Sequence, residues 1–292
     1  RHLFRPCVQG VMAGDGIVLR DALMRRIRAF FHARGYVEVE TPIRIETPCM
    51  ELHIDAEPSG DHYLRTSPEI FHKQLLAAGH PRLFEVGKCF RRGERGALHH
   101  PEYTMLEWYQ TQAGYMDVLD ETQALVLDVW DGAPKEWSRL AVSDAFLEFA
   151  GWDPVGNYDE DRFDLDLVGK VEPAIKRMGG AVVLLDYPVE AAALSRRKPG
   201  NPLVAERWEL YIHGIELANA YSELTDPVEQ RARFEACAQQ RRAMGKEVYP
   251  VSEDFLQALG KMPPSGGVAL GVDRLLMLIA GRSSLDSVLP FR

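Results

Sequence analysis

The sequence predicts an α+β fold in which an antiparallel β-sheet is flanked by helices. Strand-like runs alternate with amphipathic runs of helical spacing, and several strand-like runs follow one another as in hairpins. The chain has 292 residues, 46% of them hydrophobic, which is enough for a sizeable core. Because no internal repeat or domain boundary is visible, we predict a single domain over residues 1–292.

The first predicted elements are a helix and a short strand. The helix, over residues 19–34, has apolar residues at helical spacing: Leu23, Ile27, Phe30 and Phe31. Gly35 follows as a C-cap. Val37 and Val39 then alternate with glutamates, which predicts a strand that ends at Pro42.

The remaining elements follow from the same patterns. Ser67 as N-cap and Pro68 at the first helical position predict a helix to about Ala78. Further helices are predicted over residues 116–130, 141–150 and 227–244 and from residue 273. Strands are predicted over residues 83–86, 182–187 (as a central strand) and 207–223, and up to residue 272. Residues 196–202 read as a basic loop, and residues 151–180 are polar, acidic and weakly patterned.

Composition limits the cellular context. The net charge of −9 makes tRNA binding less expected, although a local basic patch would suffice for it. No apolar run is long enough to span a membrane, and residues 1–10 lack a signal-peptide pattern. The chain has four cysteines, Cys7, Cys49, Cys89 and Cys237, and their spacing is not that of metal ligands. We therefore expect a cytoplasmic protein with reduced thiols.

Residues 90–109, FRRGERGALHHPEYTMLEWY, are the most informative stretch. Arginines and histidines crowd one end, and acids alternate with aromatics at the other. Such a segment can hold a polyphosphate at its basic end and a cationic amine at its acidic end. The alternative is an amphipathic hairpin with a charged loop.

Two distant segments, residues 215–226 and 266–277, favour the first interpretation. Together with residues 90–109 they resemble the second and third signature motifs of class II aminoacyl-tRNA synthetases, in the lysyl branch. Residues 35–42 resemble the first motif. The resemblance runs from about Leu19 to the end of the chain and implies a class II catalytic domain. It also implies ATP and Mg²⁺ as cofactors, and a homodimer through the first helix and strand.

Ala269 discriminates within this family. Lysyl-tRNA synthetases have Gly at this place, whereas their paralogues that attach (R)-β-lysine to elongation factor P have Ala. A methyl group here would disfavour α-lysine and suit a β-amino acid, by about 1–3 kcal/mol. Only about 18 residues precede the first motif helix. An anticodon-binding barrel needs on the order of 100 residues, so we expect no tRNA anticodon binding.

The resemblance assigns the nucleotide site. Arg91 would bridge the substrate carboxylate and the α-phosphate, and Arg274 would lie on the nucleotide; both would be catalytic. A guanidinium suits these roles because it holds phosphate oxygens in a fixed fork. The full expected ATP-binding set is Arg91, Arg92, Gly93, Glu94, His99, His100, Tyr103, Glu216, Leu217, Gly271 and Arg274.

Three positions of the second motif depart from the family pattern. Gly93 stands where the family has Glu, and we favour Glu94 as the residue that reads the adenine amine, with backbone atoms as the alternative. Tyr103 replaces the usual Phe that stacks on adenine, and His100 replaces a common Asn.

The amino-acid pocket needs negative charge for an ammonium group. The expected substrate-binding set is Ser67, Pro68, Glu69, Glu107, Tyr109, Glu223 and Ala269. The resemblance assigns Mg²⁺ to Glu216 and Glu223, and carboxylates with phosphates are the usual ligands of this ion. These two residues are seven apart, so on an unbroken strand they would point to opposite faces. A bulge or turn near Asn219 is therefore needed if both reach the site.

The resulting prediction is an ATP-dependent ligase that forms a (R)-β-lysyl- or lysyl-adenylate and transfers the acyl group to a lysine of elongation factor P. One alternative is a truncated or stand-alone lysyl-tRNA synthetase catalytic domain. Another is an inactive paralogue that acts as a regulatory binding protein; Gly93 favours this reading, and retention of Arg91 and Arg274 opposes it.

Overall fold

The computed structural model describes residues 16–291. The predictions about Cys7 and residues 1–10 lie outside this range. The strands are β1 (Val37–Glu38), β2 (Arg44–Ile45), β3 (Glu57–Ser59), β4 (His62–Leu64), β5 (Arg82–Phe90), β6 (Glu102–Thr111), β7 (Trp137–Ala141), β8 (Ala181–Pro188), β9 (Arg197–Lys198), β10 (Asn201–Ile212), β11 (Ile215–Ser222) and β12 (Ser265–Gly271). None of the described helices is long and apolar enough to cross a membrane.

Helices flank these strands. They are α1 (Gly16–Ala33), α2 (Glu69–Ala77), α3 (Tyr115–Val129), α4 (Val142–Phe149), α5 (Glu160–Asp166), α6 (Glu172–Met178), α7 (Pro227–Ala243), α8 (Glu253–Leu259) and α9 (Val272–Ile279). A π-helical turn, Leu167–Val171, joins α5 to α6, and short 3₁₀ turns lie at Val189–Ala191 and Leu285–Ser287. The α+β class predicted from the sequence is confirmed.

The main sheet has the order β1-β5-β6-β12-β11-β10-β8-β7, with β9 on β10. Its middle, from β5 to β8, is antiparallel, as predicted, but β1 pairs with β5 and β7 pairs with β8 in parallel. The sheet is therefore mixed at both edges. A separate small sheet has the order β2-β4-β3.

The first helix lies against the sheet as its pattern predicted. Leu23, Ile27, Phe30 and Phe31 are buried in the largest hydrophobic cluster, which also holds Trp108 of β6. Residues of α3 and α9 join the same cluster. This side of the sheet is thus covered. The opposite side is covered only in part, by one cluster with residues of α2 and α8 and another with residues of α4, α5 and α6, and polar side chains occupy the space between them.

Four local predictions need correction. Strand β8 lies second from one edge, not centrally; its continuous apolar run reflects burial on both faces, with Val183 in one cluster and Val182 in another. Pro68, not Ser67, holds the N-cap position of α2, although Ser67 Oγ accepts from the Glu69 amide at 3.0 Å. The basic loop contains β9 and the start of β10. The weakly patterned residues 151–180 hold α5, the π-helical turn and α6.

Candidate active site

The two-residue period of β6 builds one wall of the site. Odd-numbered side chains face the open side of the sheet, namely Tyr103, Met105, Glu107 and Tyr109. Their even-numbered neighbours Leu106 and Trp108 are fully buried in the core under α1. One strand therefore carries an aromatic ring at one end of the site and a buried carboxylate with a tyrosine at the other.

Neighbouring strands extend this wall in rows. Ala269 of β12 lies between Glu107 of β6 and Asn219 of β11. Ala269 lines both a nucleotide-side cavity, which contains Arg274, and an amino-acid-side cavity, which contains Glu107 and Glu223. The methyl group of Ala269 thus sits at the junction of the two cavities.

A β-bulge sets the register of β11. Leu210 of β10 pairs with Ala218, and the next residue, Tyr211, pairs with Glu216, which leaves Leu217 as the extra residue. Leu217 and Ala218 are consequently both buried in the core and also border the nucleotide-side cavity. Glu216 returns to the same open side as Asn219. The irregularity expected near Asn219 is therefore present, at Leu217.

Arg274 is fixed at the nucleotide end. Its Nη1 donates to the backbone oxygen of Glu216 at 2.7 Å and to its carboxylate at 3.1 Å, and Nε donates to the Leu98 oxygen at 3.2 Å. Burial by itself would raise the pKa of Glu216, but the Arg274 guanidinium lowers it below the usual carboxyl value. The Arg274 side chain is thus held in one orientation on the cavity wall.

His99 completes the setting of Arg274. Burial and the nearby cation both lower the pKa of His99. The neutral ring accepts from Arg274 Nη2 through Nε2 at 2.8 Å. His100 also lines the nucleotide-side cavity, and its ring contacts the Glu102 backbone oxygen at 2.9 Å.

Arg91 stands over the ring of Tyr103, with 5.2 Å between the guanidinium carbon and the ring centroid. It lines both cavities and lies 3.8 Å from the Glu94 carboxylate. Glu94 lines the nucleotide-side cavity, whereas Gly93 and Arg92 do not. Gly93 has φ +78°, a conformation that favours glycine and turns the chain so that Glu94 reaches the cavity.

The amino-acid-side cavity is a buried cluster of carboxylates. Glu107 accepts from Ser67 Oγ at 2.7 Å and from the Tyr109 hydroxyl at 2.9 Å, and His72 Nδ1 lies 3.7 Å away. Glu69 and Glu223 line the same space. Pro68 supports the turn before α2 but does not line the cavity.

Lys73, which the sequence did not single out, neutralises part of this cluster. Its fully buried ammonium lies 2.5 Å from Glu69 and 2.6 Å from Glu223. Burial opposes charge on Lys73, but the two carboxylates raise its pKa. Burial raises the pKa of Glu223 to about 8 despite Lys73. Because Lys73 is four residues after Glu69 on one helix, their spacing was a usable signal.

Gly267 keeps the deep end of this cavity open. A Cβ atom there would lie 2.3 Å from both Glu223 Oε1 and the Tyr109 ring. Any side chain at this position would therefore displace the two groups. Gly267 lies within the motif of residues 266–277, and the sequence alone indicated no role for it.

The structure does not bring the two expected metal carboxylates together. Glu216 lines the nucleotide-side cavity, and Glu223 lies past the far end of β11 in the amino-acid-side cavity. Seven residues at about 3.3 Å each put them roughly 20 Å apart along the strand. A single ion would not reach both carboxylates, and the assignment of Mg²⁺ to Glu216 and Glu223 stays a prediction.

Glu209 is the better second carboxylate. It faces the same groove as Glu216, and the register places it on β10 opposite Asn219. Its carboxylate is held by Arg207 at 2.5 Å and accepts from Tyr187 and Tyr211. Residues 16–291 contain no cluster of three or more metal-ligating side chains. Two carboxylates completed by phosphates nevertheless match what Mg²⁺ prefers.

The arrangement therefore has a basic end and an acidic end that meet at Arg91 and Ala269. Arginines and an aromatic ring suit an adenosine phosphate. Buried carboxylates suit an ammonium group. Sequence reasoning missed Glu51, Asn219 and Tyr221 as members of this site, and all three line the amino-acid-side cavity.

Comparison with known proteins agrees with this geometry. The family model of class II tRNA synthetases (D, K and N) matches residues 12–292. An elongation factor P–(R)-β-lysine ligase of Vibrio cholerae is 37% identical over 306 residues, which cover 93% of each chain. Its counterpart in Erwinia tasmaniensis is 38% identical over 94% of each chain. A lysine–tRNA ligase of Clostridium perfringens is 33% identical; the match covers 95% of this chain and 64% of the relative.

Proposed function

Because this chain belongs to the class II tRNA synthetase family (D, K and N), we propose that it is an ATP-dependent ligase for lysine or (R)-β-lysine. In this proposal it transfers the activated acyl group to a lysine side chain of elongation factor P, the acceptor named for its relatives. The observation that carries the proposal is Ala269, whose methyl group separates the carboxylate cluster from the nucleotide-side cavity.

In the first step the substrate carboxylate attacks the α-phosphorus of ATP, and pyrophosphate leaves. Arg91 lies where the two cavities meet, so its guanidinium can hold the two anions against their repulsion. Arg274, fixed by Glu216 and His99, supplies positive charge at the phosphates. Tyr103 offers its ring face to adenine.

The acidic end of the site binds the side-chain ammonium of the amino-acid substrate. Glu107, oriented by Ser67 and Tyr109, accepts hydrogen bonds from the ammonium, and Glu223 adds charge. Mg²⁺, held by Glu209 and Glu216, would neutralise phosphate charge. The amino acid and the nucleotide thus approach each other from opposite ends of one sheet face.

In the second step the neutral ε-amine of the acceptor lysine attacks the carbonyl carbon of the adenylate. The bond from that carbon to the phosphate oxygen breaks, and AMP leaves with the electron pair. The nitrogen then gives up a proton, and an amide remains. The reaction parallels aminoacyl transfer to tRNA, with an amine in place of a ribose hydroxyl.

The second candidate is transfer to tRNA, as in the lysine–tRNA ligases that this chain also resembles. Ala269 favours the first candidate, because its methyl group narrows the pocket beside Asn219 and disfavours α-lysine, the amino acid of those relatives. The same proposal includes a homodimer. It also includes a cytoplasmic location, because the thiols of Cys49, Cys89 and Cys237 are unpaired.

Mass spectrometry of elongation factor P tests the function. Incubation with the enzyme, ATP, Mg²⁺ and (R)-β-lysine should add one β-lysyl group to one lysine. Arg274→Ala should lower the rate at least about a hundredfold, because charge stabilisation at the phosphates is lost. Unmodified elongation factor P together with charged tRNA would replace this function with the second candidate.

A further inference from the structure

A large groove continues outward from the active site. It measures about 1020 Å³ and reaches Arg91, Glu216 and Asn219, which also line the two inner cavities. Its outer walls are residues 158–167 on one side and α7 on the other. We refer to this space as the outer groove. The nucleotide and the amino acid account for the inner cavities, and the Mg²⁺ proposed at Glu209 and Glu216 accounts for the inner end of the outer groove. The part between residues 158–167 and α7 has no role in these steps.

The transfer step requires such a space. A lysine side chain extends its nitrogen roughly 6 Å from the backbone, the span of four methylenes and the terminal bond. The backbone of the acceptor must therefore come within about that distance of the adenylate carbonyl beside Arg91. Because the outer groove opens at Arg91 and is wide, it can admit a loop of folded protein.

The charge of the outer groove favours a positively charged binding partner. Six carboxylates line it against four guanidinium groups. Three of those arginines already face carboxylates: Arg197 and Arg233 contact Glu229 at 2.8 and 2.6 Å, and Arg207 contacts Glu209. The fourth, Arg91, is committed to the reacting anions.

Two of the carboxylates remain available. The side chains of Glu51, at the inner end, and Glu190, exposed at the rim, make no hydrogen bond or ion pair within residues 16–291. Burial raises the pKa of Glu51, because the charged carboxylate is poorly solvated there. An approaching ammonium group would stabilise the charged form. A phosphodiester chain would meet the opposite effect, because unpaired carboxylates repel it.

The walls of the outer groove are tied together. Glu160 of α5 accepts from Gln240 of α7 at 3.0 Å, and His53 lies 3.5 Å from Asp164. These contacts join α5, α7 and the loop around His53. The groove therefore keeps its shape without a bound partner, and a docking test should leave these residues intact.

We propose that the outer groove docks the lysine-bearing loop of the acceptor protein, with Glu190 and Glu51 drawing its positive charge inward. The inference rests on the proposed function and extends it to a docking surface formed by residues 158–167, Glu190 and α7. Acceptor affinity should accordingly fall as the salt concentration rises.

Two exposed positions allow a test that leaves the catalytic groups in place. Ala236→Arg narrows the groove from α7, where arginine is a good helix former. Glu190→Lys reverses the charge at the rim. Asp128→Lys, on the exposed face of α3, is the control for net charge. Each variant is assayed for ATP–pyrophosphate exchange with the amino acid and for steady-state transfer to elongation factor P.

The expected result separates the two steps. Ala236→Arg and Glu190→Lys should raise the KM for elongation factor P by about tenfold or more, with pyrophosphate exchange within about twofold of wild type. Asp128→Lys should match wild type in both assays. Wild-type KM for the acceptor in the two groove variants would overturn the docking surface and leave the ligase function standing.

Other outcomes concern the proposed function itself. If the wild-type enzyme shows no amino-acid-dependent pyrophosphate exchange, the proposed ligase function is contradicted, independently of the results for the groove variants. A wild-type enzyme that charges tRNA and leaves elongation factor P unmodified would also overturn the docking proposal, because the groove would then serve an RNA acceptor.

Discussion

At the residue scale, we propose that substrate choice depends on the methyl group of Ala269, which lies beside a cluster of carboxylates. Ala269 is flanked by Glu107 and Asn219 in the register of three central strands. Its methyl group is therefore fixed by backbone hydrogen bonds rather than by a flexible side chain. A change of one carbon at this position should alter which amine position is accepted, with little effect on Arg274.

We predict that Ala269→Gly increases the use of α-lysine relative to (R)-β-lysine. Removal of the methyl group frees the space that an α-ammonium needs, and the ratio of specificity constants should shift by about tenfold or more. Pyrophosphate exchange with both amino acids measures the shift. An unchanged ratio would show that Ala269 does not contact the substrate.

Glu223 should make amino-acid binding depend on pH. Because burial raises its pKa to about 8, the carboxyl is largely protonated below that pH in the free enzyme. An ammonium ligand favours the carboxylate, so binding at pH 7 should release a proton, and affinity should rise with pH up to about 8. Calorimetry in buffers of different ionisation enthalpy measures the release, and Glu223→Gln should abolish it. Binding without proton release at pH 7 would contradict this account.

At the element scale, the helices and strands with long periodic patterns were predictable, and the features that depend on distant partners were not. The faces of α1 and β6 follow from local spacing. A bulge was predicted only because Glu216 and Glu223, which are seven residues apart, could not otherwise face the same side of one strand. Its position, and the placement of Glu209 and Glu216 on the same groove, depend on how β10 and β11 align. Helices α5 and α6 have seven residues each, too few for a clear period.

Lys73 links α2 to the end of β11, and its removal should destabilise the fold. Lys73→Met leaves Glu69 and Glu223 buried without their cation, which should cost about 3–5 kcal/mol of unfolding free energy at pH 9, where the Glu223 carboxylate is charged. Lys88→Met is the control, because Lys88 pairs with Glu102 at the surface and should cost about 1 kcal/mol or less. Urea denaturation compares the two variants. Similar small losses would mean that the buried pair is not structurally important.

At the scale of the whole molecule, the first helix cannot offer its apolar face to a second copy. Leu23, Ile27, Phe30 and Phe31 are buried against the chain's own sheet. The apolar face therefore does not support the homodimer in the way the sequence indicated. Val37 of β1, at the edge of the main sheet, is 55% exposed, and Ile43, just before β2, is 44% exposed. These two residues are the better candidates.

We predict a homodimer that uses this edge. Val37→Asp should weaken the dimer by about tenfold or more, because a charge would be buried at its centre. Leu147→Asp, at a similarly exposed position on α4, should have no effect. Light scattering over a range of protein concentrations measures both. A fully active wild-type monomer at micromolar concentration would contradict the prediction.

The central claim is that one sheet face joins a carboxylate pocket for a lysine-type amine to an arginine-lined nucleotide site. ATP–pyrophosphate exchange tests it most directly, with (R)-β-lysine, α-lysine and uncharged amino acids compared on the same enzyme. We expect exchange with the lysine isomers, higher for (R)-β-lysine, none with uncharged amino acids, and a loss of at least about a hundredfold in Arg274→Ala. Exchange that is absent with both lysine isomers, or unaffected by loss of Arg274, would contradict the account.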